Sequence, residues 1–139
     1  MHTFALRLKP NQDLKEELGA VAAHHSIQAG FILTGVGSLR QATLRFANQA
    51  TPHKFEQKFE IISLGGTLSQ SGAHLHIALG DREGKVIGGH LVPGCIVYTT
   101  AEIVIGITDE FTFQRSQDQQ TGFQELEIVS NISGFSEMQ

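Results

Sequence analysis

The chain has 139 residues, the size of one ordinary domain, with 40% hydrophobic and 17% charged residues, a balance that supports a packed core and excludes disorder. Its formal net charge is −4 and it holds no run of Lys and Arg, which disfavours direct binding to a nucleic-acid backbone. Fifteen glycines against three prolines point to many tight turns and a β-rich fold.

Phe4, Leu6 and Leu8 alternate with Ala5, Arg7 and Lys9, the period of a first strand, and Pro10-Asn11-Gln12 ends it. Asp13 with Glu16 three residues on reads as a capping box. Leu14, Leu18, Val21 and Ala22 then share one helical face, so the main helix is expected over 13–25. Strand-like segments follow at 29–33, 41–47, 55–64, 73–79, 85–91, 96–107, 111–115 and 123–129, with glycine or polar joints at 35–38, 65–66, 81–84 and 116–122. One early helix and about seven or eight strands make an α+β single domain, built on a curled, barrel-like antiparallel sheet. The absence of a βαβα rhythm disfavours a doubly wound nucleotide fold. The core is expected over 4–129, with a polar tail over 130–139.

Cys95 is the one cysteine, so no intrachain disulfide can form and a reducing compartment fits. The start Met1-His2-Thr3-Phe4 lacks the pattern of a signal peptide, and the apolar run 96–107 is too short and too polar to span a membrane. A cytoplasmic protein is expected. That run could be a central strand covered on both faces or a subunit contact.

The chemistry concentrates in three histidines. His74 and His76 are two apart on an expected strand, so both imidazoles share one face while Leu75, Ile77 and Leu79 take the other. Whether His90 joins them depends on the next turn. A two-residue loop would pair His76 with Gly89 and turn His90 away. A three-residue loop, Arg82-Glu83-Gly84, would pair Asp81 with Lys85 and His76 with His90. Asp81 suits the first position of a type I turn and Gly84 the left-handed residue after it, which favours the longer loop; a bulge at Gly88-Gly89 would spoil the count. Opposed residues have Cβ atoms about 5 Å apart, close enough to share an ion. Three neutral imidazoles without a thiolate suit zinc or another divalent metal, and three protein ligands leave one position open. Two surface histidines and a chance neighbour are the plainer alternative.

Glu102 lies in an apolar strand, where burial would raise its pKa and fit it for proton transfer, although an ion pair or a solvent-facing charge serves as well. Thr34-Gly35-Val36-Gly37-Ser38 is not a phosphate loop, because Arg40 stands where the third glycine belongs and no helix follows; a tight turn is expected. Cys95 is expected small and buried, His24 and His25 to cap the helix end, and His53 to be exposed. Arg40 and Arg45 could bind an anion, though solvated arginines are commoner.

Thr34-Gly35-Val36-Gly37-Ser38-Leu39, Phe59-Glu60-Ile61-Ile62-Ser63-Leu64-Gly65-Gly66-Thr67-Leu68, His74-Leu75-His76 and Gly84-Lys85-Val86-Ile87-Gly88-Gly89-His90 together resemble the PPC domain, conserved in plants and prokaryotes, in its stand-alone prokaryotic type. The resemblance spans about residues 4–128. It implies an antiparallel β-fold with a flanking helix and assembly as a homotrimer. In plants the domain follows AT-hook segments, and this chain has no Arg-Gly-Arg-Pro, so an inherited DNA-binding role does not carry over directly. The family fold is also similar to that of acetolactate decarboxylase, a zinc enzyme with a His-x-His pair and a third histidine downstream. The expectation is a trimer holding one zinc-like ion per subunit through His74, His76 and His90, which acts on or senses a small molecule. If it is an enzyme, a metal-dependent lyase or hydrolase is implied. The alternative is a non-catalytic DNA-associated regulatory or assembly module.

Overall fold

The structure is a computed structural model that describes residues 1–134. The chain runs through β1 (His2–Leu8), α1 (Leu14–His24), β2 (Gly30–Arg45), β3 (His53–Phe55), β4 (Phe59–Ser69), β5 (Gly72–Gly80), β6 (Val86–Leu91), β7 (Ile96–Ile107), β8 (Phe111–Gln117) and β9 (Gln124–Ser130). Seven strands form one sheet in the order β1-β7-β2-β4-β5-β6, with β3 added to β2, and every pairing is antiparallel. The last strand curls back far enough for Leu91 and His90 of β6 to pair with Leu44 and Arg45 of β2. Only those two residues meet, so the sheet curls without closing into a barrel. Strands β8 and β9 form a separate two-stranded sheet.

The helix follows from its cap and its stripe. The Asp13 carboxylate accepts the Glu16 amide at 3.1 Å and, through its other oxygen, the Gly94 amide at 2.7 Å, which ties the helix start to the β6–β7 loop. Leu14, Leu18 and Ala22 are buried, and the helix packs against β4 and β7. The concave side of the sheet supplies the rest of the core: Leu39 and Leu44 of β2, Leu68 of β4, Leu75 and Leu79 of β5, and Ile103 and Ile105 of β7. Cys95 lies in this core as a free thiol, donating to the Thr43 carbonyl at 3.3 Å; burial pushes its pKa up to about 11.

Several expected boundaries shift. The Gly35–Ser38 turn does not exist. Residues 30–45 form one continuous strand that bends through register shifts against β7 between Ile32 and Thr34, Gly37 and Leu39, and Leu39 and Gln41. Gly37 there has φ 153°, and a Cβ on it would collide with the Thr100 carbonyl oxygen. The glycines at 35–38 are therefore the means of bending a long strand rather than of reversing it. Gly65-Gly66 lies likewise inside β4. The strand expected over 55–64 is two, β3 and β4, making nine strands in all among the described residues. The apolar run of β7 is covered on one face, with Val97, Ala101, Ile103 and Ile105 buried, while Tyr98 and Glu102 are exposed. The expected polar tail starts anchored: the Asn131 amide donates to the Glu110 carbonyl at 2.8 Å, and residues 135–139 lie outside those described. Among the described residues no helix is long and apolar enough to cross a membrane.

Candidate metal centre

The site is set by the turn between β5 and β6. The Asp81 carbonyl accepts from the Gly84 amide at 3.0 Å, and the Asp81 amide donates to the Lys85 carbonyl at 2.8 Å. The Asp81 carboxylate accepts from the amides of Glu83 (2.8 Å) and Lys85 (2.9 Å). Gly84 takes the left-handed conformation, φ 81°, that closes the three-residue loop. The register then runs without a bulge through Gly80–Val86, Leu79–Ile87, Ala78–Gly88 and Ile77–Gly89 to His76–His90. On the other side of β5, Thr67 of β4 faces His74 and Gly65 faces His76. Leu75, Ile77 and Leu79 are buried on the opposite face, so the hydrophobic anchor of β5 is what turns its histidines outward.

The three imidazoles converge. One ring nitrogen from each of His74, His76 and His90 lies within 4.8 Å of the others, and ring centroids are 4.8 Å (His74–His76), 5.1 Å (His74–His90) and 5.7 Å (His76–His90) apart. The Nε2 atoms of His74 and His76 are 3.1 Å apart in a ring-to-ring hydrogen bond. Two nitrogens on one tetrahedral zinc lie about 3.3 Å apart, so His74 and His76 are at that spacing already and His90 needs a modest approach. His90 is half-buried, and its Nδ1 is buried with no hydrogen-bond partner among the described residues. An orphaned buried nitrogen beside two other imidazoles fits an ion. Electrostatics favours the neutral, ligating form. The His90 pKa is pushed down to about 4, first by burial and then by Arg45, its cross-strand neighbour on β2, and by His74, His76 and Lys15. His74 is also lowered, first by burial and then by His76 and Arg115, with Glu125 opposing.

A cleft of about 640 Å³ opens beside the histidines. One wall is Gly65, Thr67, His74 and His76 of the main sheet; the other is Arg115 of β8 with Glu125 and Leu126 of β9. Arg115 donates from Nη2 to Thr67 Oγ1 at 3.1 Å, bridging the two sheets. The Lys15 ammonium donates to the Ala73 carbonyl at 3.2 Å, and burial, then Arg115, lowers its pKa.

Glu102 does not join this site. It is exposed on β7 between Arg7 of β1 and Val36 of β2 and does not line the cleft, so the burial expected to raise its pKa is missing. Alternation explains it: Ala101 and Ile103 point into the core, and Glu102 must point away. Arg40 instead donates from Nε to Asn11 Oδ1 at 2.9 Å, and His53 is exposed, stacked on Phe46. The sequence reading missed Lys15, Arg115 and Glu125. No local spacing announces them, because Arg115 and Glu125 reach the cleft, and Lys15 the Ala73 carbonyl, through packing between distant elements.

Comparison with known proteins settles the family. The model of the Plants and Prokaryotes Conserved (PCC) domain matches residues 1–109. The chain belongs to this family. A bifunctional protein GlmU from a Synechococcus species is 48% identical to this PPC-domain chain over 128 residues, 92% of this chain but 21% of that protein, so the chain spans about a fifth of the relative's length. A hypothetical protein from Salmonella cholerae-suis superposes with a TM-score of 0.91 at 40% identity, covering 94% of this chain and 95% of the other. A protein from Archaeoglobus fulgidus described as metal-containing has a TM-score of 0.77 at 27% identity, covering 91% and 94%. A candidate DNA-binding protein from Bacteroides thetaiotaomicron has a TM-score of 0.81 at 26% identity, covering 90% and 91%.

Proposed function

We propose that this PPC-domain protein holds one zinc-like divalent ion per subunit on His74, His76 and His90, and binds a small molecule in the adjoining cleft as an enzyme or sensor. The observation that carries this reading is the convergence of three imidazoles, one ring nitrogen of each within 4.8 Å of the others, where the Nδ1 of His90 is buried without a partner among the described residues. The metal-containing relative of the same fold supports it. An ion with three protein ligands keeps an open position, and its chemistry there is polarisation of an oxygen ligand. Glu125, not Glu102, is the carboxylate in that cleft. Assembly as a homotrimer completes the reading; exposed Val36, Ile62 and Tyr98 on β2, β4 and β7 supply apolar surface for it to cover.

Elemental analysis of protein purified without a histidine tag should find near one metal per chain, absent from a His74/His76/His90 triple alanine variant. Wild-type protein without metal refutes the reading. Light scattering after size exclusion tests the trimer, and a monomer at micromolar concentration refutes that part.

The second reading, a DNA-associated assembly module, is favoured by the name of the Bacteroides relative. The chain's −4 net charge argues against it. Tight binding to A·T-rich duplex with a steep salt dependence would establish it over the first.

A further inference from the structure

The two walls of the cleft carry different chemistry, and the difference points to a ligand class. The histidine wall offers imidazoles and bare backbone at Gly65, where an added Cβ would meet open space. The opposite wall offers a guanidinium. Arg115 is half-buried, its stem packs beside Gly72, and Thr67 Oγ1 fixes Nη2. That one bond leaves most of a five-donor planar fork for a ligand in the cleft that Arg115 lines. Lys15 adds a second cation nearby, tied to the Ala73 carbonyl. Against these stands one carboxylate, Glu125, whose Oε1 accepts from Thr121 Oγ1 at 3.0 Å.

We propose that the cleft binds a small monocarboxylate, its carboxylate held in a bidentate grip by Arg115 and its other end directed at the histidine cluster, an inference that rests on the metal reading for the second anchor. A planar carboxylate matches the guanidinium fork. Glu125 in the same cleft repels a second negative charge, which selects a monoanion over a phosphate dianion. Leu126 and Ala78 also line the cleft and suit a short alkyl portion. Arg115 and Glu125 both come from the hairpin beyond residue 109, where the family match ends, so the histidines lie within the shared frame and the ligand grip lies outside it.

The test titrates glycolate, and separately inorganic phosphate, into zinc-loaded and metal-free protein by calorimetry, with zinc content measured on every sample. Glycolate should bind the zinc-loaded wild type saturably and more tightly than phosphate. Arg115→Gln should weaken it at least about tenfold with zinc content unchanged. Arg115→Lys, which keeps the charge but not the fork, should fall between. Metal-free wild type should bind glycolate more weakly but still through Arg115. Equal glycolate affinity in wild type and both variants, no glycolate binding in either metal state, or preference for phosphate overturns the proposal. A protein that takes up zinc yet binds glycolate independently of Arg115 sinks this inference and leaves the metal reading standing. A protein that takes up no zinc yet binds glycolate through Arg115 sinks the metal reading and the second anchor, and leaves the carboxylate grip.

Discussion

The two walls of the cleft are held in opposite ways. The β5–β6 hairpin is built into the main sheet: β5 pairs with β4 along nine residue pairs and with β6 along five, and Leu75, Leu79 and Leu91 are fully buried beneath it. Among the described residues the β8–β9 hairpin pairs only with itself and is fastened by few bonds, among them Phe113 amide to Gln28 carbonyl (2.9 Å), Ser69 Oγ to Phe113 carbonyl (2.9 Å) and Arg115 to Thr67. The histidines therefore sit on a wall with a buried hydrophobic foundation. Arg115 and Glu125 sit on a wall that polar contacts hold in place, the class of segment that opens at lower free energy.

The largest expected break of this contrast is at Gly66. Its φ of 135° and the His74 carbonyl against its α-carbon leave no place for a Cβ. Gly66→Ala should cost about 3 kcal/mol or more in urea denaturation and lower zinc content with it, since the Thr67–His74 pairing moves. A neutral outcome would show that the histidine wall yields easily.

Acid comes next. His90 and His74 are disfavoured as cations in the fold, so the unfolded chain binds more protons below its ordinary histidine pKa of 6.5. Metal-free protein should lose thermal stability as pH falls from about 6.5 towards 4, and His90→Gln should flatten that slope. An unchanged slope in the variant would remove His90 as the source.

On the other wall, Ser69→Ala deletes two hydrogen bonds, one to the Phe113 carbonyl and one from the Ser71 amide, and should cost about 1–2 kcal/mol, with faster amide exchange at Ser71 and in β8 and β9 and zinc retained. Exchange quickening equally in β5 would erase the distinction between the walls. Smallest of all, Phe123→Ala at the hairpin's exposed tip should change stability by no more than about 0.5 kcal/mol.

What could be read from the sequence follows the same division. The β5–β6 register was legible because Asp81 and Gly84 carry the turn's requirements in their own chemistry, and Leu75, Ile77 and Leu79 assign the faces. Glycines were harder to read: Gly35, Gly37, Gly65 and Gly66 look like joints, yet all lie inside long strands, and at Gly37 and Gly66 neighbouring backbone leaves no room for a Cβ. Burial and a solvent-facing charge both stayed open for Glu102, because apolar neighbours in sequence say nothing of which face a strand residue takes. Arg115 and Glu125 were illegible because the docking of β8–β9 depends on contacts to Gln28, Thr67 and Ser69, some forty to ninety residues away.

The most direct test of the central claim is an anomalous difference map at the zinc edge, from crystals of untagged protein grown with equimolar zinc. One peak per chain is expected, bonded at about 2.0–2.1 Å to one nitrogen each of His74, His76 and His90, with a fourth position open to the cleft. Zinc found elsewhere, or three histidines with no peak between them, would contradict it.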